Sequence, residues 1–312
     1  MEQETGSGME KQVAAMACAA MTFFYVAILY APTLILRLPP PNSLKQFMIR
    51  RFICASISSV VSLILCAFIL PITSREMSYL FVYGIRLDHF WQAVVFPLFL
   101  TSLMYAGSFA LKLFLLVDSW KEHVSEGRSL AAGCFNNLLQ NFTAGISSIA
   151  SDVLAWRNYV VAPFTEELVF RACMIPLLLC GGFKISSIIF LCPVLFSLAH
   201  LNHWMEIYIR HNSLLKATMV VGLQLGYTVI FGSYASFLYI RTGHLLAPLA
   251  AHVFCNIMGL PVMFARRSGM ISLAFVAGAA MFLWLLFPIT RPDLYNDRTN
   301  NCRCWHGYCS WN

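Results

Sequence analysis

Eight apolar runs dominate this sequence, near residues 13–36, 52–71, 92–117, 160–182, 185–201, 217–240, 244–264 and 270–290. A helix needs roughly 20 apolar residues to cross the hydrocarbon core of a bilayer. Inside that core no water can satisfy backbone N–H and C=O groups, so long continuous runs of this kind fold as helices. The expected fold is all-α: a polytopic membrane protein of about eight transmembrane helices enclosing a cavity within the membrane. Composition excludes a soluble globular domain, because 59% of the residues are hydrophobic and only 11% are charged. The net charge of +7 sits between the apolar runs, where it sets topology and meets anionic lipid headgroups. A bilayer rather than a nucleic acid is therefore the expected partner of the basic residues.

No repeat or low-complexity tract divides the chain, so residues 1–312 read as a single integral-membrane domain. The run at 13–36 follows acidic rather than basic residues and exceeds the length of a signal-peptide core, so it reads as the first membrane helix. Residues 181–184, Gly-Gly-Phe-Lys, join the fourth and fifth runs as a tight hairpin. The stretch 118–159 is more polar and reads either as an interfacial amphipathic helix or as a loop. Lys and Arg number eleven on the side of the first loop and eight on the other, so odd loops are expected in the cytoplasm and both termini in the lumen. The sequon Asn141-Phe142-Thr143 then faces the cytoplasm, where it stays unglycosylated. Eleven cysteines show no disulfide spacing. Most lie in apolar runs, and Cys302, Cys304 and Cys309 read as part of an ordinary tail.

Charge inside a span costs about 2.5–3.5 kcal/mol per central residue and persists where it is paired or used. Glu167 and Arg171 stand four apart on one helical face and can pair. Glu166 points about 100° away. Two roles stay open for it: a protonated, hydrogen-bonded carboxyl, or a desolvated carboxylate acting as a general base. His200 lies one turn after Phe196, and His252 lies one turn before Asn256. One acid, two imidazoles and a carboxamide on three apolar helices can be accommodated only by converging inside the bundle. Such a set supplies a base, a water-orienting group and donors for a developing oxyanion. His203 reads as structural. Cys173 and Cys255 lie in apolar surroundings that dull a thiol, so neither reads as a nucleophile.

Glu166-Glu167-x-x-x-Arg171, Phe196-x-x-x-His200 and His252-x-x-x-Asn256, in that order on successive hydrophobic runs, resemble the three motifs of type II CAAX prenyl endopeptidases, the Ras-converting proteases. Flanking segments such as MIRRFICA (48–55) and PVLFSLAHLNH (193–203) resemble the eukaryotic enzymes, with a plant member expected. The resemblance implies a hydrolase of the endoplasmic reticulum membrane, reached from the cytosol. It would remove the last three residues of farnesylated or geranylgeranylated C-a-a-X proteins, small GTPases among them. The motif-bearing core spans about 160–264. The implied catalytic residues are Glu166, His200, His252 and Asn256, supported by Glu167, Arg171 and Phe196, with no cofactor and no metal. Two alternatives use the same residues: zinc held by Glu166, His200 and His252, or a non-enzymatic scaffold or transporter of the same family.

Overall fold

The computed structural model describes residues 9–71, 79–125, 151–263 and 269–295. The sequon at 141–143, most of the 118–159 stretch and the cysteine-bearing tail lie outside these residues, as does the side chain of His203. The described chain is helical, with no strand among the described residues. In order, the main elements are α1 (Lys11–Ala27), α2 (Leu44–Ile69), α3 (Phe90–Leu103), α4 (Ala106–Ser125), an interrupted helical segment α5 (153–180), α6 (Ile185–Leu198), α7 (Asn202–His211), α8 (Leu214–Thr242), α9 (Leu246–Met258) and α10 (Gly269–Ile289).

Polarity is inverted relative to a soluble protein. Phe68 is 83% exposed and Trp284 71%, while Glu167 and Arg171 are wholly buried. Water would penalise that apolar rim, whereas lipid accepts it and drives charge to the interior. The protein is a multi-pass membrane protein. Among the described residues, four helices are long and apolar enough to cross a bilayer: Lys11–Leu34, Leu44–Ile69, Leu214–Thr242 and Gly269–Ile289.

The other four apolar runs do not form straight rods. The run at 92–117 bends by 73° between α3 and α4, and counts as a fifth span if the pair is taken together. The run at 244–264 ends as a helix at Met258, where Gly259 takes φ +69° and Pro261 follows. Proline lacks the N–H to continue a helix and disfavours helical geometry in the residue before it. The run at 160–182 changes its winding twice, with π-helical turns at Arg157–Val161 and Leu168–Cys173. Such turns are rare and recur at functional sites. The run at 185–201 tightens into a 3₁₀ turn at Ala199–Leu201, which carries His200.

Local signals set the helix ends. Ser43 and Ser213 cap α2 and α8 by accepting from the backbone N–H groups of Gln46 and Lys216. Gly243, at φ +63°, closes α8. The α3–α4 corner holds the far end of α9. Tyr105 Oη donates to Gly259 O at 2.7 Å, and Ser108 Oγ accepts from Val262 N at 2.9 Å. Gly278 of α10 lies directly under this corner. A Cβ there would meet Leu103 O at 2.2 Å and Ala106 Cβ at 2.7 Å. Gly278→Ala is therefore expected to overpack the corner, costing about 1–3 kcal/mol. Thermal unfolding of the detergent-solubilised variant checks this, and a melting temperature equal to wild type would refute the packing argument.

Candidate active site

Two charged side chains anchor the site. Arg171 donates through Nη1 to Glu167 Oε1 at 3.2 Å, one turn apart, with both side chains fully buried. The guanidinium lies 4.7 Å above the Phe196 ring and donates through Nη2 to Gly232 O at 3.4 Å. Glycine at 232 makes that approach possible, since a Cβ would stand 3.1 Å from Arg171 Nη2 and 2.9 Å from Pro193 Cβ. Arginine's planar fork suits this combined role of ion pair, hydrogen bond and ring contact.

His252 joins the pair from α9. Its Nδ1 lies 2.7 Å from Glu167 Oε1, so one carboxylate oxygen serves both a guanidinium and an imidazole. A carboxylate only accepts, so Nδ1 carries a proton. The opposite nitrogen, Nε2, faces Glu166 Oε2 at 3.7 Å, longer than a hydrogen bond. His252 thus stands between the two adjacent acids, tied to one and facing the other. The ring is held by aromatic edges and faces, with centroids 5.0 Å from Phe231 and 6.4 Å from Phe196.

His200 reaches the same place from the 3₁₀ turn after α6. Its Nδ1 is 3.0 Å from Phe196 O. A carbonyl only accepts, so this nitrogen is also protonated and Nε2 is the acceptor of the neutral ring. Phe196 packs edge-on against it at 4.9 Å. Asn256, one turn beyond His252, donates through Nδ2 to Asn158 O at 2.8 Å. That bond uses one of its two amide hydrogens and ties α9 to the first π-helical turn.

Glu166, His200, His252 and Asn256 all line one cavity of about 350 Å³. Glu167 and Arg171 stay behind its wall. Glu166 is partly open to it, with 16% of its side-chain surface exposed. A smaller cavity of about 90 Å³ also borders Glu166 and is bounded by Tyr25 of α1 and Arg51 and Phe52 of α2. Arg157, Glu166, Phe196 and His200 border both chambers. Among the described residues, no three His, Cys, Asp or Glu side chains are placed to hold a metal ion.

This arrangement can do definite chemistry. Two groups able to accept a hydrogen from water, the Glu166 carboxylate and the His200 ring, border the one cavity. Donors at the same wall include the second Asn256 N–H, and His252 Nε2 when the ring is an imidazolium countered by Glu167. Spacing alone gave Glu167 one partner, Arg171; packing gives it His252 as well. Arg157, Asn158, Gln224 and Tyr227 at the cavity wall were not singled out from sequence. In the sequence nothing local distinguishes Arg157 from the other flanking arginines.

A family model described as "Type II CAAX prenyl endopeptidase Rce1-like" matches residues 149–258. The chain is 61% identical over 309 residues to "CAAX prenyl protease 2" of Arabidopsis thaliana, covering 98% of this chain and 99% of that protein. It is 31% identical to "CAAX prenyl protease 2" of Homo sapiens, over 94% of this chain and 85% of the relative. The Caenorhabditis elegans protein of the same name is 30% identical over 79% of this chain and 86% of its own length. No solved structure matches the chain.

Proposed function

The chain belongs to the type II CAAX prenyl endopeptidase family, and on that premise we propose that it hydrolyses the peptide bond following the prenylated cysteine of C-a-a-X proteins, with Glu166 as the base. The products are a tripeptide and a protein ending in prenylcysteine. Substrates are farnesylated or geranylgeranylated proteins, small GTPases among them. The setting is the endoplasmic reticulum membrane, with the cavity reached from the cytosol, and the motif-bearing core at about 160–264 works within one integral-membrane unit. The observation that carries this reading is the convergence of Glu166, His200, His252 and Asn256 on one cavity inside an apolar bundle.

In this mechanism water donates one hydrogen to the Glu166 carboxylate and the other to His200 Nε2. Glu166 removes the proton as oxygen attacks the scissile carbonyl, without an acyl-enzyme. The proton then passes to the departing amine. Asn256 and protonated His252 donate to the tetrahedral oxyanion. One such donor typically contributes about 10²–10³ in rate. Glu167 balances the charge on His252 and sets its ring orientation. Arg171 in turn holds Glu167, and Phe196 wedges both His200 and Arg171. A prenyl chain partitions into lipid, so a cavity between membrane helices receives tail and peptide together.

The test is cleavage of a farnesylated C-a-a-X peptide by purified protein in nanodiscs, read as tripeptide release by mass spectrometry. Release is expected to persist after treatment with a zinc chelator. Chelator-sensitive release would move water activation to a metal, and no release at all would remove the proposed function.

A further inference from the structure

Glu166 projects from a stretch of α5 whose own backbone does little to fix its rotation. The helical turn Ala162–Glu167 lies between the π-helical turns Arg157–Val161 and Leu168–Cys173. Pro163 within it has no N–H to give to the ladder. Rotation matters because a side-chain tip lies about 5–6 Å from the helix axis, so a turn of about 10° moves it by about 1 Å. A displacement of that size can cost about 10² in rate.

The residue before Glu166 is held from outside α5. Thr165 is buried, and its Oγ1 donates to Val161 O at 2.8 Å, with Ala162 O at 3.3 Å. A hydroxyl has one hydrogen to give and those carbonyls only accept. In the 3.0 Å contact between Thr165 Oγ1 and Tyr25 Oη, the tyrosine is therefore the donor. Tyr25 belongs to α1, 140 residues earlier, far outside the motif-bearing core. Its ring packs edge-on against Phe170 at 5.5 Å, Phe170 packs against Phe196 at 5.1 Å, and Phe196 against His200 at 4.9 Å. One side chain of α1 thus braces the turn that carries Glu166 through its hydroxyl and the His200 wall through its ring.

We propose that Tyr25 is a positioning residue for the reaction: its hydrogen bond to Thr165 sets the rotation of α5 that aims the Glu166 carboxylate at water. This inference rests on the proposed protease reading. The Tyr25 hydrogen is committed to Thr165, so the phenol acts through that residue and not on the substrate. The first helix then belongs to the catalytic unit, although none of the three motifs lies on it.

The experiment measures kcat and KM separately on a farnesylated C-a-a-X peptide, using purified full-length protein in nanodiscs. Tyr25→Phe keeps the ring and removes only the hydroxyl. It is expected to lower kcat about tenfold, a partial loss of alignment, with KM within about twofold of wild type. Thr165→Val removes the same bond from the other side and should also lower kcat, whereas Thr165→Ser, which keeps a hydroxyl, should stay near wild type. Adding Tyr25→Phe to Thr165→Val should cause no further loss, because two residues that act through one bond are not additive. Wild-type kcat in Tyr25→Phe would overturn the proposal, as would an effect of that variant that persists undiminished beside Thr165→Val. A lower Tm or poor accumulation of Tyr25→Phe with native kcat in the folded fraction would also overturn it, by making the bond one of stability alone. If Thr165→Val does not accumulate, Tyr25→Phe and Thr165→Ser still decide. Wild type releasing no tripeptide would instead strike the proposed function itself.

Discussion

Glu166→Gln should release no detectable tripeptide from a farnesylated C-a-a-X peptide while accumulating in membranes like wild type. Loss of a general base costs about 10²–10⁴ in rate, and an uncharged amide cannot take the proton. The fold should tolerate the change because Glu166 is partly exposed to a cavity and its only described ionic contact is His252 at 3.7 Å. Gln is nearly isosteric, so neither a void nor an unpaired buried charge results. The measurement is kcat/KM together with protein level by immunoblot and Tm in detergent. Native-rate cleavage by the variant would sink the base assignment, and a collapsed Tm would show that Glu166 is structural.

Arg171→Met should have the opposite profile, with the protein itself failing. Glu167 and Arg171 have no exposed surface. Removing the guanidinium strands a carboxylate that keeps one described partner, His252 at 2.7 Å. Breaking a buried pair from one side costs about 3–5 kcal/mol, a large share of ordinary folding stability. The contact over Phe196 at 4.7 Å is lost as well. Low accumulation and a clearly lower Tm are expected. The double variant Arg171→Met, Glu167→Gln should regain part of the Tm, because the stranded charge is gone, yet stay slow because His252 has lost its counter-charge. A single variant with wild-type Tm would contradict the buried-pair argument.

Glu166 and the buried Glu167–Arg171 pair thus have opposite expected phenotypes, and their sequence positions explain only part of the contrast. An i,i+4 relation is local, since 3.6 residues per turn place Glu167 over Arg171 and turn Glu166 aside. Which acid meets His252, 85 residues later, depends on how α9 lies against α5. The α3–α4 corner helps to set that placement through Tyr105 and Ser108. Spacing likewise leaves both imidazole tautomers open, and Glu167 Oε1 and Phe196 O, opposite the two Nδ1 atoms, fix them. Asn256 read as a free donor by residue type, whereas one of its amide hydrogens is engaged with Asn158 O.

The spans divide in the same way. Hydropathy located every apolar run, because solvent preference is a property of residues. It did not reveal the 73° bend after Leu103 or the early end of α9, because an apolar run has equal hydropathy whether it is straight, bent or rewound.

By itself the sequence determined that this chain lives in lipid, that it is helical, and that its few membrane-borne polar groups are arranged as three family motifs. Tertiary structure alone decided that Glu167 meets His252 as well as Arg171, which nitrogen of each imidazole is committed, and that Arg157 borders both chambers. Solvent preference and helical spacing are carried by neighbouring residues, whereas cavities and shared protons arise only where distant helices pack.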